Sequence, residues 1–320
     1  MTRASSALTL LPERDFILPM PRPAVLLLLL LLPACRDTTP RAREFDGASA
    51  FRYIETQVGF GPRIPGTEAH RQTAAWLDSL LRQRADTVMV QSWTHVTAAG
   101  DSLPLSNFVA RFNAGAAKRL LFLAHWDSRP TADSQVSTDS TQPVPGANDG
   151  GSGVAVLLGV ADALKRAPPA VGVDLLFADG EDYGDFTKTP KDVLIGSRYY
   201  AAHQVPGPQP LYAVLFDLVA DRDLQIFQEG NSLIGAPEVV DLVWNTAKDL
   251  GYAGTFAATP KHTLIDDHLE LQKVGIRAID VVDFDYPSWH TRDDTIDKVS
   301  AASLQIVGDV AVALVRREGK

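Results

Sequence analysis

The chain has 320 residues, 45% of them hydrophobic and 22% charged, a balance that suits a globular protein with a full core and sets an upper size of one large α/β domain or two small ones. A formal net charge of -9 leaves no basic stripe to neutralise phosphates, which argues against a nucleic-acid partner. With Cys35 the only cysteine, no disulfide can form within the chain and the fold must hold by its core.

The first residues read as a targeting signal. Arg22 precedes an apolar block, Ala24 to Leu32, too short to cross a bilayer as a helix but suited to the centre of a secretory signal. The block ends Leu32-Pro33-Ala34-Cys35, which resembles the lipobox of bacterial lipoproteins, where the cysteine is lipidated and becomes the new N-terminus. The expectation is a signal peptide over residues 1–35, with Met20 as an alternative start, a polar tether over 36–44 and a single catalytic domain over 45–320. The product would be exported to the periplasm or cell surface and touch a membrane only through lipid on Cys35.

Within the domain, Phe51, Ile54 and Val58 recur at helical spacing from about Ala48 to Val58. Glycines and prolines then break the chain, and Thr67 caps a second helix running to about Gln83, with Trp76, Leu77, Leu80 and Leu81 on its buried face. Strands are expected over Thr87 to Val96, Leu105 to Phe112 and Leu120 to Ala124, with Asn113 to Ala117 as the hairpin turn joining the last two. Ser128 to Val144, rich in Ser, Thr, Asp and Gln, reads as a surface loop bordering a crevice. The Gly-rich run Pro145 to Gly153 leads into a helix, Val154 to Lys165, but has neither dinucleotide nor Walker spacing, and Val154 stands where a nucleophile elbow needs glycine.

The buried run Val173 to Ala178 stops abruptly in Asp179-Gly180-Glu181-Asp182. A short helix follows around Ser197 to Ala202, then strands Tyr212 to Phe216 and Leu224 to Gln228, a helix from Pro237 to Leu250, a turn at Ile265 to His268, a strand from Arg277 to Phe284 and a closing helix from Ser300 to Val315. Alternating helices and strands predict a three-layer α/β/α sandwich around a mixed, mostly parallel sheet. Three apolar runs end in acids or histidine, at His125-Trp126-Asp127, at Asp179 to Asp182 and at Asp217. An isolated ending of this kind is as easily a solvated turn. Strand carboxyl ends line the ligand crevice of open α/β sheets, however, so three together point to a metal.

The ordered set His125-x-Asp127, Asn148-Asp149-Gly150, Asp179-Gly180-Glu181-Asp182, Asp217, Asp266-Asp267-His268 and Trp289-His290-Thr291 resembles family twenty-eight of the zinc metallopeptidases. That family holds bacterial aminopeptidases and, on the same fold, the glutaminyl-peptide cyclotransferases; the resemblance runs from Phe51 to Val315. It implies Asp149, Asp182 and His290 as ligands of a catalytic zinc with an open fourth position. It implies Glu181 as general base and Asp127 as the carboxylate orienting His125. The family more often has glutamate where Asp182 stands, which shortens that arm. His125 and Asp217 match ligands of a second zinc in the two-metal aminopeptidases, so the cofactor is one zinc ion or two.

Two features lean toward the cyclotransferase branch. Trp289 resembles that branch's substrate-packing tryptophan, and Asp266 would pair with Asp217 to handle the leaving group's proton. The expected substrates are peptide or protein N-termini, cyclised at glutamine or, in the alternative, hydrolysed at the first peptide bond. A non-catalytic lipoprotein on a degenerate peptidase fold predicts missing ligands, whereas all the candidate metal positions and Glu181 are present. His70, His95, His203 and His262 read as surface or structural.

Overall fold

The computed structural model describes residues 43–319, with Glu13 and Asp15 isolated ahead of them. The leader, with Met20 and Cys35, and the tether as far as Ala42 lie outside the described residues. Helix α1, Gly47–Phe60, starts where the Asp46 side chain accepts the Ser49 backbone N–H. Helix α2, Glu68–Arg82, is capped by Thr67 through the His70 N–H, as its sequence predicts. Strands β1, Thr87–Val96, and β2, Ser102–Phe112, then form an antiparallel hairpin, closed by a Thr97 N–H to Asp101 carbonyl bond.

Strand β3, Arg119–His125, leads to helix α3, Gly151–Arg166, and strand β4, Gly172–Ala178. The chain continues through α4, Ile195–Ala202; β5, Ala213–Asp217; β6, Ile226–Gln228; α5, Gly230–Gly235; α6, Pro237–Asp249; β7, Phe256–Pro260; α7, His268–Lys273; β8, Ala278–Val282; and α8, Ala301–Glu318. The main sheet has the order β1-β2-β4-β3-β5-β8, and its last four strands run parallel to one another.

The expected hairpin between β2 and β3 is corrected. Asn113 to Ala116 does turn, but β4 lies between the two strands, antiparallel to β2 and parallel to β3. β3 and β4 are buried along their whole length, and a crossover through α3 places them side by side with helices on both faces. The expected strand Leu224 to Gln228 shrinks to β6, which pairs with β7 in a separate two-stranded sheet.

Alternation along β3 separates the layers. Leu120, Phe122 and Ala124 pack with residues of α1, α3 and α8, while Leu121 and Leu123 pack with Tyr200 of α4 and Leu271 of α7. Each of these buried leucines and Phe122 contributes about 1.5–3 kcal/mol. Gly153 lets the first turn of α3 lie against the sheet, since a Cβ there would collide with the Phe216 carbonyl and the Ala124 side chain. That approach brings the loop before α3 to the carboxyl ends of β3 and β5. Arg43–Lys320 makes one compact unit, and no helix among the described residues is long and apolar enough to cross a membrane.

Candidate metal centre

Five chain segments deliver polar side chains to the carboxyl rim of the sheet. His125 is the last residue of β3 and Asp217 the last of β5. Glu181 and Asp182 follow the end of β4, Asp149 precedes α3, and His290 comes from the loop between β8 and α8. Gly150 adopts a φ of 69°, and a Cβ there would meet the Asp127 carbonyl and the His125 ring, so only glycine lets Asp149 approach so closely. His290 (φ 54°) and Leu218 (φ 53°) also sit in the left-handed region, at a cost of roughly 1–3 kcal/mol each that the packing around the site must offset.

Asp149 stands at the centre. Its Oδ1 is 3.2 Å from His125 Nε2 and its Oδ2 is 3.7 Å from His290 Nε2. His290 Nε2 also lies 3.3 Å from Asp182 Oδ1, and His125 Nε2 lies 3.3 Å from Asp217 Oδ1. Two trios result, Asp149–Asp182–His290 and His125–Asp149–Asp217, each with its donor atoms within 4.8 Å of one another. The residues fit a metal by their own chemistry. Oδ2 of Asp182 is buried without a hydrogen-bond partner, and a set of carboxylates and imidazoles is one that zinc accepts.

The electrostatics describe a basin of excess negative charge. Burial raises the Glu181 pKa well above the ordinary range against the pull of His125, and Asp182, Asp266 and Asp267 push it the same way. Burial and then the charge of Asp217 raise Asp266 well above its usual value. Burial carries Asp267 to about 7 and raises Asp149, whose second cause is the Asp182 charge. Asp182 moves down, because His290 and Arg129 overcome its burial. Both histidines are held protonated by these acids despite their burial, His290 up to about 9. Protons therefore fill positions that a divalent cation would take over.

Asp127 lies 3.4 Å from His125 Nδ1, but its two oxygens accept the backbone N–H groups of Glu181 (3.0 Å) and Asp182 (3.1 Å). It holds the acidic loop at least as directly as it orients the imidazole. Asp266 receives the Asp267 N–H at 2.6 Å, and Asp217 that of Leu218 at 2.9 Å. Trp289 stacks on His290 with centroids 3.8 Å apart and meets Phe284 edge-on at 4.9 Å. Trp289 and Phe284, with Leu264 and Ile265, form an apolar wall in a cleft of about 600 Å³ that also exposes Asp149, Glu181, Asp182, Asp217 and Asp266.

Three residues absent from the sequence reading support the site. Arg63, fully buried, donates to the carbonyls of Trp126, Pro145, Gly146 and Asp149 and so pins the loop before α3. Arg129 binds Asp182 and Asp133, and Asp133 in turn binds His290 Nδ1 at 2.9 Å. In a loop rich in Ser and Thr that also holds Asp139, Asp133 carried no signal of its own. His70 is structural: it bonds Asp179 at 2.9 Å and stacks on Trp126. Burial raises Asp179 to about 6.

A family model described as Peptidase family M28 matches residues 107–315. Among curated relatives, the Glutaminyl-peptide cyclotransferase-like protein of Bos taurus is 27% identical over 267 residues, covering 73% of this chain and 66% of the relative's own length. Two solved structures superpose closely. A Zn-dependent exopeptidase from Parabacteroides distasonis has a TM-score of 0.82 at 32% identity, covering 85% of this chain and 98% of its own. The glutaminyl cyclase of Porphyromonas gingivalis has a TM-score of 0.82 at 33% identity, covering 87% of this chain and 100% of its own.

Proposed function

Since the chain belongs to peptidase family M28, we propose that it is a zinc-dependent enzyme of peptide N-termini that converts N-terminal glutamine to pyroglutamate with release of ammonia. The observation that carries this reading is the carboxyl pair Asp217 and Asp266 facing one cleft with Glu181. Burial, and then the charge of Asp217, raise the Asp266 pKa well above its usual value. A carboxyl group whose pKa is raised suits donating a hydrogen bond to a departing nitrogen, whereas an aminopeptidase needs an ionised acid to grip a charged amine.

Zinc held by Asp149, Asp182 and His290 would supply a Lewis acid that polarises the substrate's side-chain amide carbonyl. Glu181 takes a proton from the α-amine as its nitrogen bonds to the amide carbon, then passes that proton to the amide nitrogen, which leaves as ammonia as its carbon–nitrogen bond breaks. Asp266, paired with Asp217, stabilises the leaving nitrogen with its own proton. Trp289 and Phe284 offer an apolar wall for the glutamine methylenes.

The second reading is a zinc aminopeptidase, favoured by the second trio, His125–Asp149–Asp217, which provides donors for a further ion. Zinc-loaded protein offered a peptide beginning with glutamine and one beginning with leucine separates the two. Ammonia without cleavage supports cyclisation, free leucine supports hydrolysis, and neither product defeats both. Export as a bacterial lipoprotein anchored at Cys35 is part of the same proposal. Cys35→Ala should move the protein from the membrane to the soluble fraction, and an unchanged distribution would refute the anchor.

A further inference from the structure

We propose that Arg129 and Asp133 form a strap that sets zinc affinity by fixing Asp182 and His290 together, an inference that rests on the reading of Asp149, Asp182 and His290 as zinc ligands. Arg129 is 3% exposed, so its guanidinium needs nearby partners for its donors. It finds them on two segments. Nη1 donates to Asp182 Oδ1 at 2.5 Å and to the Asp182 carbonyl at 3.2 Å. Nε and Nη2 make a bidentate pair with Asp133 at 2.7 and 2.6 Å.

Asp133 Oδ1 also meets His290 Nδ1 at 2.9 Å, and the next residue, Ser134, donates its backbone N–H to the His290 carbonyl at 3.1 Å. The path Asp182–Arg129–Asp133–His290 therefore closes a ring with the 3.3 Å approach of His290 Nε2 to Asp182 Oδ1.

The ring has two consequences for a metal. A proton on His290 Nδ1, donated to Asp133, leaves the Nε2 lone pair facing the trio, the tautomer a ligating imidazole requires. Asp182 reaches on a single methylene, so its carboxylate position follows its backbone closely. Arg129 grips both the carbonyl and one carboxylate oxygen, while Oδ2 stays buried without a partner. Because Arg129 and Asp133 neutralise each other, the strap orients the ligands without placing a net positive charge beside the ion.

The test measures zinc affinity by competition with a chromophoric chelator for the wild type, Arg129→Met and Arg129→Lys, alongside thermal melts of the metal-free proteins. Loss of the strap should weaken zinc binding by about 10–100-fold in Arg129→Met. Arg129→Lys, which can hold Asp182 but cannot also make the bidentate pair with Asp133, should fall between that variant and the wild type. Should Arg129→Met fail to fold, Arg129→Lys carries the test, and wild-type affinity in it overturns the proposal. So does wild-type or tighter affinity in a folded Arg129→Met. A wild-type protein that binds no zinc removes the ligand trio itself, an outcome distinct from a zinc-binding wild type whose strapless variants bind zinc equally well.

Discussion

Asp294 accepts the backbone N–H of Asp149 at 3.1 Å across 145 positions of sequence, and its other oxygen accepts that of Asn148 at 2.8 Å. The Tyr286 hydroxyl adds a third donor at 2.8 Å. The loop before α8 thus holds in place the loop that carries Asp149. An asparagine here would turn an NH2 group toward one of those donors. Asp294→Asn should therefore destabilise the fold by about 1–3 kcal/mol and weaken zinc binding as Asp149 loosens. An unchanged thermal melt with unchanged zinc affinity would refute the role.

Glu181 keeps its backbone on Asp127 and its side chain in the cleft, with Oε2 3.9 Å from His125 Nδ1. Glu181→Gln preserves shape and the backbone bond but removes the carboxylate proposed as proton acceptor. Turnover should fall by about 10²–10⁴-fold while zinc content at saturation stays the same. Substantial residual activity would mean that another group accepts the proton.

The sequence made the layers and the strand ends legible because apolar runs bounded by acids mark buried strands that open on a crevice. His125, Asp149, Asp182, Asp217 and His290, named from motif order, do converge. Strand adjacency was less legible: the turn at Asn113 signals a reversal but carries no information about which strand lies alongside, and β4 fills the place given to β3. Arg63, Arg129 and Asp294 were invisible for a related reason. The partners that tie them to the site, the carbonyls around Asp149 for Arg63, Asp182 for Arg129 and the Asn148 and Asp149 N–H groups for Asp294, come from distant segments, and no local pattern reports a contact between loops.

Metal binding should release a proton from His290. Burial pulls its pKa down, but the Asp182 charge and the bond to Asp133 lift it from 6.5 to about 9 in the metal-free protein. A folded-state pKa above the unfolded value means that the stabilisation is complete below about 6.5 and lost as pH rises through about 9. Zinc must displace that proton, so apparent affinity in chelator-buffered zinc should climb from pH 7 to 9, by up to about tenfold per unit for this group. Asp133→Asn, which removes one of the lifting partners, should move the rise to lower pH. A flat profile in the wild type would show that His290 is not a ligand that gives up a proton.

Trp289 tests whether the apolar wall reads the substrate. Its ring stacks on His290 and meets Phe284 edge-on, and it lines the cleft beside the acids. Contact with the glutamine methylenes would be the same before and during the reaction, so its loss should appear mainly in KM, with kcat much less affected. Trp289→Ala should lower kcat/KM for a glutamine-initiated peptide by roughly tenfold, since an aromatic contact is worth about 0.5–1.5 kcal/mol beyond the area it buries. Trp289→Phe should recover most of that loss. If the indole instead serves only to steady the imidazole, Trp289→Ala will lower zinc affinity and kcat while KM holds, and the wall will have no part in recognition.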